Sequence, residues 1–165
     1  MIEMGGAMAQ DRKKFGSVGE ALDFAIAREV EAQDFYAKLA ALVQKPEMVK
    51  VIKDLATEEV QHKIRLEAVK AGEIVIEEEE VGDLGIAANI EDVEPKPGMS
   101  YTDLLILAIK KEDRSYRLYT DLASVAHTKE LRDIFSRLAQ DEAEHKLRFE
   151  VEYDLTTFQA KAKKK

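Results

Sequence analysis

The sequence contains no cysteine, so no disulfide, no thiolate zinc site and no cysteine-held iron–sulfur or rubredoxin-type centre can form within the chain. Any thiolate-held redox partner must be another molecule, and the absence fits a reducing compartment. No apolar run approaches the roughly 20 residues that span a bilayer, and Met1 to Lys14 lacks the apolar stretch of a secretory signal. Positive charge is also in short supply: 25 basic residues face 33 acidic ones, a formal net charge of −8. That balance argues against nucleic acid or an anionic membrane as the main partner. A soluble, cytoplasmic protein is expected, and 165 residues suit one domain able to bury a core without cross-links.

Histidine is scarce too, yet two of the three histidines stand in the same setting, Glu59-x-x-His62 and Glu142-x-x-His145. On a helix, residues three apart share a face, so both side chains can converge on one metal ion. A single such motif is a weak signal. Here both members recur at one offset, 83 residues, which suggests an internal repeat.

The rest of the chain obeys that offset. Residues 1–16 read as a disordered leader. Ser17 to Glu20 has the form of a capping box and opens a helix with an inner stripe of Leu22, Ala25, Ile26, Glu29, Gln33, Tyr36, Leu39, Ala40 and Val43. Pro46 fits the first turn of a second helix, with the stripe Met48, Val51, Ile52, Leu55, Glu59, His62, Leu66 and Val69, and Gly72 is a natural stop. Helical periodicity vanishes over 72–99, which reads as a long crossover with an extended piece at Ile74 to Ile76, an acidic solvated run at Glu77 to Glu80 and a turn at Pro95 to Gly98.

A capping box then recurs at Ser100 to Asp103. The third helix has the stripe Leu105, Ala108, Ile109, Glu112, Tyr116, Tyr119, Leu122, Ala123 and Ala126; the fourth, after Thr128, has Leu131, Ile134, Phe135, Leu138, Glu142, His145 and Phe149. The expected fold is an all-α, up-down four-helix bundle made of two repeated helical hairpins, 17–71 and 100–156, joined by the crossover. The domain is expected over 17–158, and 159–165 reads as a basic, solvated, frayed tail.

Glu29, Glu59, His62, Glu112, Glu142 and His145 fall where the stripes ask for apolar residues, at one level of the bundle. Four buried carboxylates without partners would cost on the order of several kcal/mol each. Two divalent cations would cancel them, with the imidazoles as further ligands. Oxygen and nitrogen donors without thiolate suit iron or manganese, and zinc can enter on affinity grounds. The bland alternative is a bundle with a buried polar network. Glu58 and Asp141, beside the candidate ligands, read as a solvated face, a hydrogen bond to the second imidazole nitrogen being the other option. His127 reads as a surface residue or a partner of the helix dipole.

The combination of Glu29 with Tyr36, Glu59-x-x-His62, Glu112 with Tyr119, and Glu142-x-x-His145 resembles the ferritin-like superfamily and, within it, the rubrerythrin family. The resemblance runs from about Ser17 to Tyr153. It implies a ferritin-like bundle holding two iron ions, with Glu59 and Glu142 bridging, Glu29 and Glu112 terminal, and His62 and His145 each capping one metal. Tyr36 and Tyr119 would hydrogen-bond the carboxylates. It implies a non-haem diiron oxidoreductase that reduces hydrogen peroxide or dioxygen. Rubrerythrins proper carry a four-cysteine rubredoxin-like domain, absent here, so an external electron-donor protein is expected; where they carry an additional glutamate, this chain has Ser115. The alternative is a ferritin-type storage protein with ferroxidase activity. A homodimer is expected, and the long crossover permits the second hairpin to be swapped onto a partner chain.

Overall fold

The computed structural model describes residues 12–73, 85–89 and 94–164. Strand β1 (Arg12–Lys14) leads into helix α1 (Val18–Leu42), which α2 (Pro46–Ala68) follows after a short turn. A wide helical turn at Val69–Glu73 closes the first hairpin, β2 (Ala87–Asn89) lies in the crossover, and α3 (Tyr101–Val125) and α4 (Lys129–Ala162) form the second hairpin. The two hairpins assemble into the expected all-α, ferritin-like four-helix bundle. At 25 residues, α1 and α3 are each roughly 37 Å long. No described helix is long and apolar enough to cross a membrane.

Local chemistry sets the helix ends. The Ser17 hydroxyl accepts from the Glu20 amide at 3.1 Å, while the Glu20 carboxylate reaches past the expected position and accepts from the Gly16 amide at 3.0 Å. At α3 the reciprocal box is complete: Ser100 Oγ accepts from the Asp103 amide at 3.1 Å and Asp103 Oδ2 from the Ser100 amide at 3.3 Å. Thr128 caps α4 through the Leu131 amide at 3.2 Å. Pro46 stands in the first turn of α2, where its missing N–H leaves no bond unmade. Gly72 ends the first hairpin at φ 89°, a left-handed conformation that a side chain would strain.

The core is two apolar halves separated by a polar layer. One half gathers Phe15, Leu22, Leu66, Leu118, Leu122, Leu131, Phe135 and Leu138; the other gathers Phe35, Tyr36, Leu39, Ile52, Leu55, Leu105 and Phe149. Between them lie the positions that interrupt the stripes.

Several boundaries differ from the expectation. The leader expected over 1–16 gives way at Arg12, where β1 pairs antiparallel with β2, Lys13 opposite Ala88, and Phe15 enters the core at 1 % exposure. Three consecutive basic residues carry no apolar alternation, and their partner lies some seventy positions away, so no local pattern announced the strand. The extended piece expected at Ile74 to Ile76, the acidic run of Glu77 to Glu80 and residues 1–11 lie outside the described residues. Helix α4 continues four residues past Phe158, into the expected tail; Thr157 is tolerated because its hydroxyl donates back to the Tyr153 carbonyl at 3.0 Å. Tyr116, expected inside, is 37 % exposed, and at the equivalent register of α1 Gln33 is only half-buried while Ala32 and Phe35 are buried.

Candidate metal centre

Each helix contributes to the polar layer, α1 with Glu29, α2 with Glu59 and His62, α3 with Glu112, and α4 with Glu142 and His145. All six are buried, none more than 4 % exposed. The i,i+3 spacing puts Glu59 and His62 on one face of α2, and Glu142 and His145 on one face of α4.

The geometry is that of two overlapping sets. In one, donor atoms of Glu29, Glu59, His62 and Glu142 lie within 4.8 Å of one another; in the other, those of Glu59, Glu112, Glu142 and His145 do. Glu59 and Glu142 belong to both. His62 Nδ1 is 2.9 Å from Glu142 Oε1 and 3.3 Å from Glu59 Oε2, and His145 Nδ1 is 3.3 Å from Glu59 Oε1 and 3.6 Å from Glu112 Oε2. The two imidazole rings are stacked with centroids 5.9 Å apart.

The far nitrogens show how the rings are held. His62 Nε2 is 3.2 Å from Asp141 Oδ2 on α4, and His145 Nε2 is 2.6 Å from Glu58 Oε2 on α2. Each histidine is thus fixed by an acid on the facing helix. A proton on Nε2 leaves the Nδ1 lone pair pointing into the cluster, the tautomer a metal ligand requires. Glu58 and Asp141, expected chiefly as a solvated face, are therefore positioning residues. No single-helix pattern could reveal this, because each acts across the α2–α4 interface.

The tyrosines behave differently from one another. The Tyr119 hydroxyl donates to Glu29 Oε1. The Tyr36 hydroxyl is buried without a partner among the described residues, and its ring stacks on Phe149 with centroids 6.2 Å apart. The 83-residue repeat therefore holds for the backbone register and not for this hydrogen bond. His127 is exposed, as expected.

Without metal, the layer distributes protons instead. Burial, reinforced by the Glu59 charge, pushes Glu29 well above the usual carboxylate range, and burial together with Glu142 does the same for Glu112. For Glu59 burial acts upward, but the close approach of Glu29 and of both imidazoles wins and leaves it well below that range; Glu142 is lowered against burial by Glu112 and both imidazoles. Burial acts downward on His62, yet the carboxylates of Glu142 and Glu59 push it up to about 10; His145 is raised in the same way by Glu112, Glu142 and Glu59. The layer is a site of crowded negative charge that requires cations of some kind.

Metal ions fit that requirement better than protons. Glu59 Oε1, both oxygens of Glu112 and of Glu142, and Nδ1 of both histidines are buried and make no hydrogen bond of good geometry among the described residues, although His62 Nδ1 lies 2.9 Å from Glu142 Oε1 and His145 Nδ1 3.3 Å from Glu59 Oε1. Such orphaned atoms are rare in folded proteins and are the donors a metal would use. Four carboxylates balance two divalent cations, and the absence of thiolate favours a metal that accepts oxygen and imidazole donors.

A ferritin-like bundle with a buried carboxylate–histidine layer is thus what the fold and the site define. Comparison with known proteins agrees. The sequence profile of the rubrerythrin family matches residues 20–153, and the chain belongs to that family. A hypothetical protein from Pyrococcus furiosus is 26 % identical, with a TM-score of 0.66 over 84 % of this chain and 89 % of that one. A protein from Thermotoga maritima described as a ferritin-like diiron-carboxylate protein is 23 % identical, with a TM-score of 0.68 over 81 % and 91 %. A conserved hypothetical protein from Mycobacterium tuberculosis shares 18 % identity and a TM-score of 0.63 over 81 % and 88 %. A search of curated proteins gives no match.

Proposed function

We propose that the protein binds two iron ions in this layer and works as a rubrerythrin-type oxidoreductase, reducing hydrogen peroxide or dioxygen with electrons from a separate donor protein. The observation that carries the reading is the pair of overlapping four-residue sets sharing Glu59 and Glu142, whose orphaned donors point inward. Glu59 and Glu142 would bridge, Glu29 and Glu112 would each serve one metal, and His62 and His145 would each complete one set through Nδ1. Bound iron would supply reversible one-electron steps.

The chain's own residues bind and orient. Asp141 and Glu58 hold the imidazoles, Tyr119 holds Glu29 through its hydroxyl, and the apolar halves on either side restrict water. Electrons must arrive from outside, since the chain has no cysteine to hold a redox centre of its own. A cytoplasmic setting, where reduced donor proteins are available, suits that need. Association into a homodimer, with hairpins retained or swapped, belongs to the same proposal. Supporting it, Leu147, Val151, Leu155 and Phe158 lie 49–71 % exposed at helical steps along one face of α4.

Anaerobic Fe(II) titration tests the centre, with the His62→Ala, His145→Ala double variant as control. About two iron per chain, lost in the control, is expected. Reoxidation by peroxide faster than that of free ferrous ion would support the oxidoreductase. Uptake in air continuing to many equivalents per chain, with a large assembly in size-exclusion chromatography, would replace it with ferritin-type storage and ferroxidase activity.

A further inference from the structure

Helix α4 passes the end of its own bundle. Lys45, in the turn between α1 and α2, and Tyr101, which opens α3, both donate to Glu152, so that residue marks the level at which the other helices stop. The stretch from Tyr153 to Ala162 lies beyond it, roughly 15 Å of helix. Tyr153 still packs on the core, but every residue from Asp154 to Ala162 is half-buried or exposed. A helical end without packing is marginal, because helices draw most of their stability from a covered apolar face, and Thr156 and Thr157 are weak helix formers.

The arm nevertheless has an apolar face. Leu147, Val151, Leu155 and Phe158 follow one another at steps of four, four and three and are 58, 49, 51 and 71 % exposed. Together they expose on the order of 400 Å² per copy, the size at which a patch marks an interaction surface. Two such patches in contact hide about twice that, and the flanking side chains bring the total toward the roughly 1,200 Å² at the low end of stable interfaces.

We propose that this face docks a second copy of the chain, α4 against α4 and antiparallel. The inference rests on the homodimer reading and assigns its surface and orientation. The sequence of the face is complementary to itself about a point near Tyr153, as a two-fold interface requires. Antiparallel copies centred there set Leu147 opposite the partner's Phe158 and Val151 opposite the partner's Leu155. Exposed Glu144 then stands level with the partner's Lys161, once at each end. Parallel copies would instead set Glu144 beside the partner's Glu144 and the lysines at 161, 163 and 164 beside their own counterparts, which repel. In the antiparallel pair each projecting arm lies along the partner's α4, so neither is left bare.

Sedimentation velocity of the purified full chain tests the surface, and thiol cross-linking tests the orientation. A dimer is expected for the parent and a monomer for the Leu155→Glu, Phe158→Glu double variant, whose substitutions lie beyond the bundle and leave iron stoichiometry unchanged. Because the chain has no cysteine, Asp154→Cys and Lys161→Cys each carry a single thiol. With a short bis-maleimide, Asp154→Cys, near the two-fold axis, is expected to link to itself. Lys161→Cys is not, its two copies being separated along the helices by about 25 Å; it is expected to link to Glu144→Cys when the two variants are mixed. A monomeric parent, an assembly larger than a dimer, a dimer that survives the double variant, or Lys161→Cys linked to itself would each overturn the proposal. The failures are distinguishable: a monomeric parent removes the homodimer as well, a surviving dimer removes this surface alone, and iron bound per chain in the same samples reports separately on the metal centre.

Discussion

Replacing Asp141 with Asn is expected to weaken metal binding at His62 while leaving the number of metals per chain unchanged. An amide oxygen can still accept from His62 Nε2, so the ring keeps its orientation; what is lost is the negative charge 3.2 Å away that makes the imidazole a stronger donor. Losses at such outer partners run about 10–100-fold, or about 1.4–2.8 kcal/mol. The Asp141 side chain is 20 % exposed, so solvent screens it little and the loss should lie toward the upper end. Glu58→Gln is the matched test at His145. Its contact is shorter, 2.6 Å, but the Glu58 side chain is 48 % exposed, and screening places the expected loss toward the lower end. The double variant should not be additive, because both metal positions share Glu59 and Glu142. Competition titration against a chromophoric chelator under anaerobic conditions reads the two affinities. Parent-like affinity in Asp141→Asn would refute the contribution of the negative charge and leave Asp141 as an orienting acceptor only.

The two tyrosines should separate. Tyr119→Phe removes the donor to a buried carboxylate and is expected to cost about 1–3 kcal/mol, whereas Tyr36→Phe removes a hydroxyl without a partner and should be neutral or slightly stabilising in urea unfolding. Phe149→Ala, which empties a fully buried ring site against Tyr36, is expected to cost about 3–5 kcal/mol in the same assay without changing metal stoichiometry. Glu152 is buried and held by Lys45 at 2.6 Å and Tyr101 at 2.7 Å. Burial acts upward on it, but those two partners leave it below the usual carboxylate range. Its contribution is therefore present above the ordinary glutamate pKa of about 4.3 and is lost as pH falls through the depressed folded value. Tyr101→Phe should flatten that acid limb, measured as thermal midpoint against pH, and a limb as steep as the parent's would remove Tyr101 from the account. Adding Fe(II) or Zn(II) should raise the midpoint and chelator should reverse the rise, because a ligand that binds only the folded chain stabilises it by mass action.

The sequence by itself determined the helices, the repeat and the polar layer. Stripes at 3.6-residue spacing, capping residues at Ser17, Ser100 and Thr128, and Gly72 act over a few positions, so their consequences can be read locally. Glu29, Glu59, His62, Glu112, Glu142 and His145 stood out for the same reason, each a polar residue at a register that asks for an apolar one. The tertiary structure decided whatever depends on which helix faces which. It assigned Asp141 to His62 and Glu58 to His145, opposite to any same-helix reading, and gave Glu29 a tyrosine partner while leaving Tyr36 without one. It also paired Arg12–Lys14 with Ala87–Asn89. These features arise from contacts between segments far apart in the chain, where backbone pairing and side-chain reach are set by packing and no periodicity records them.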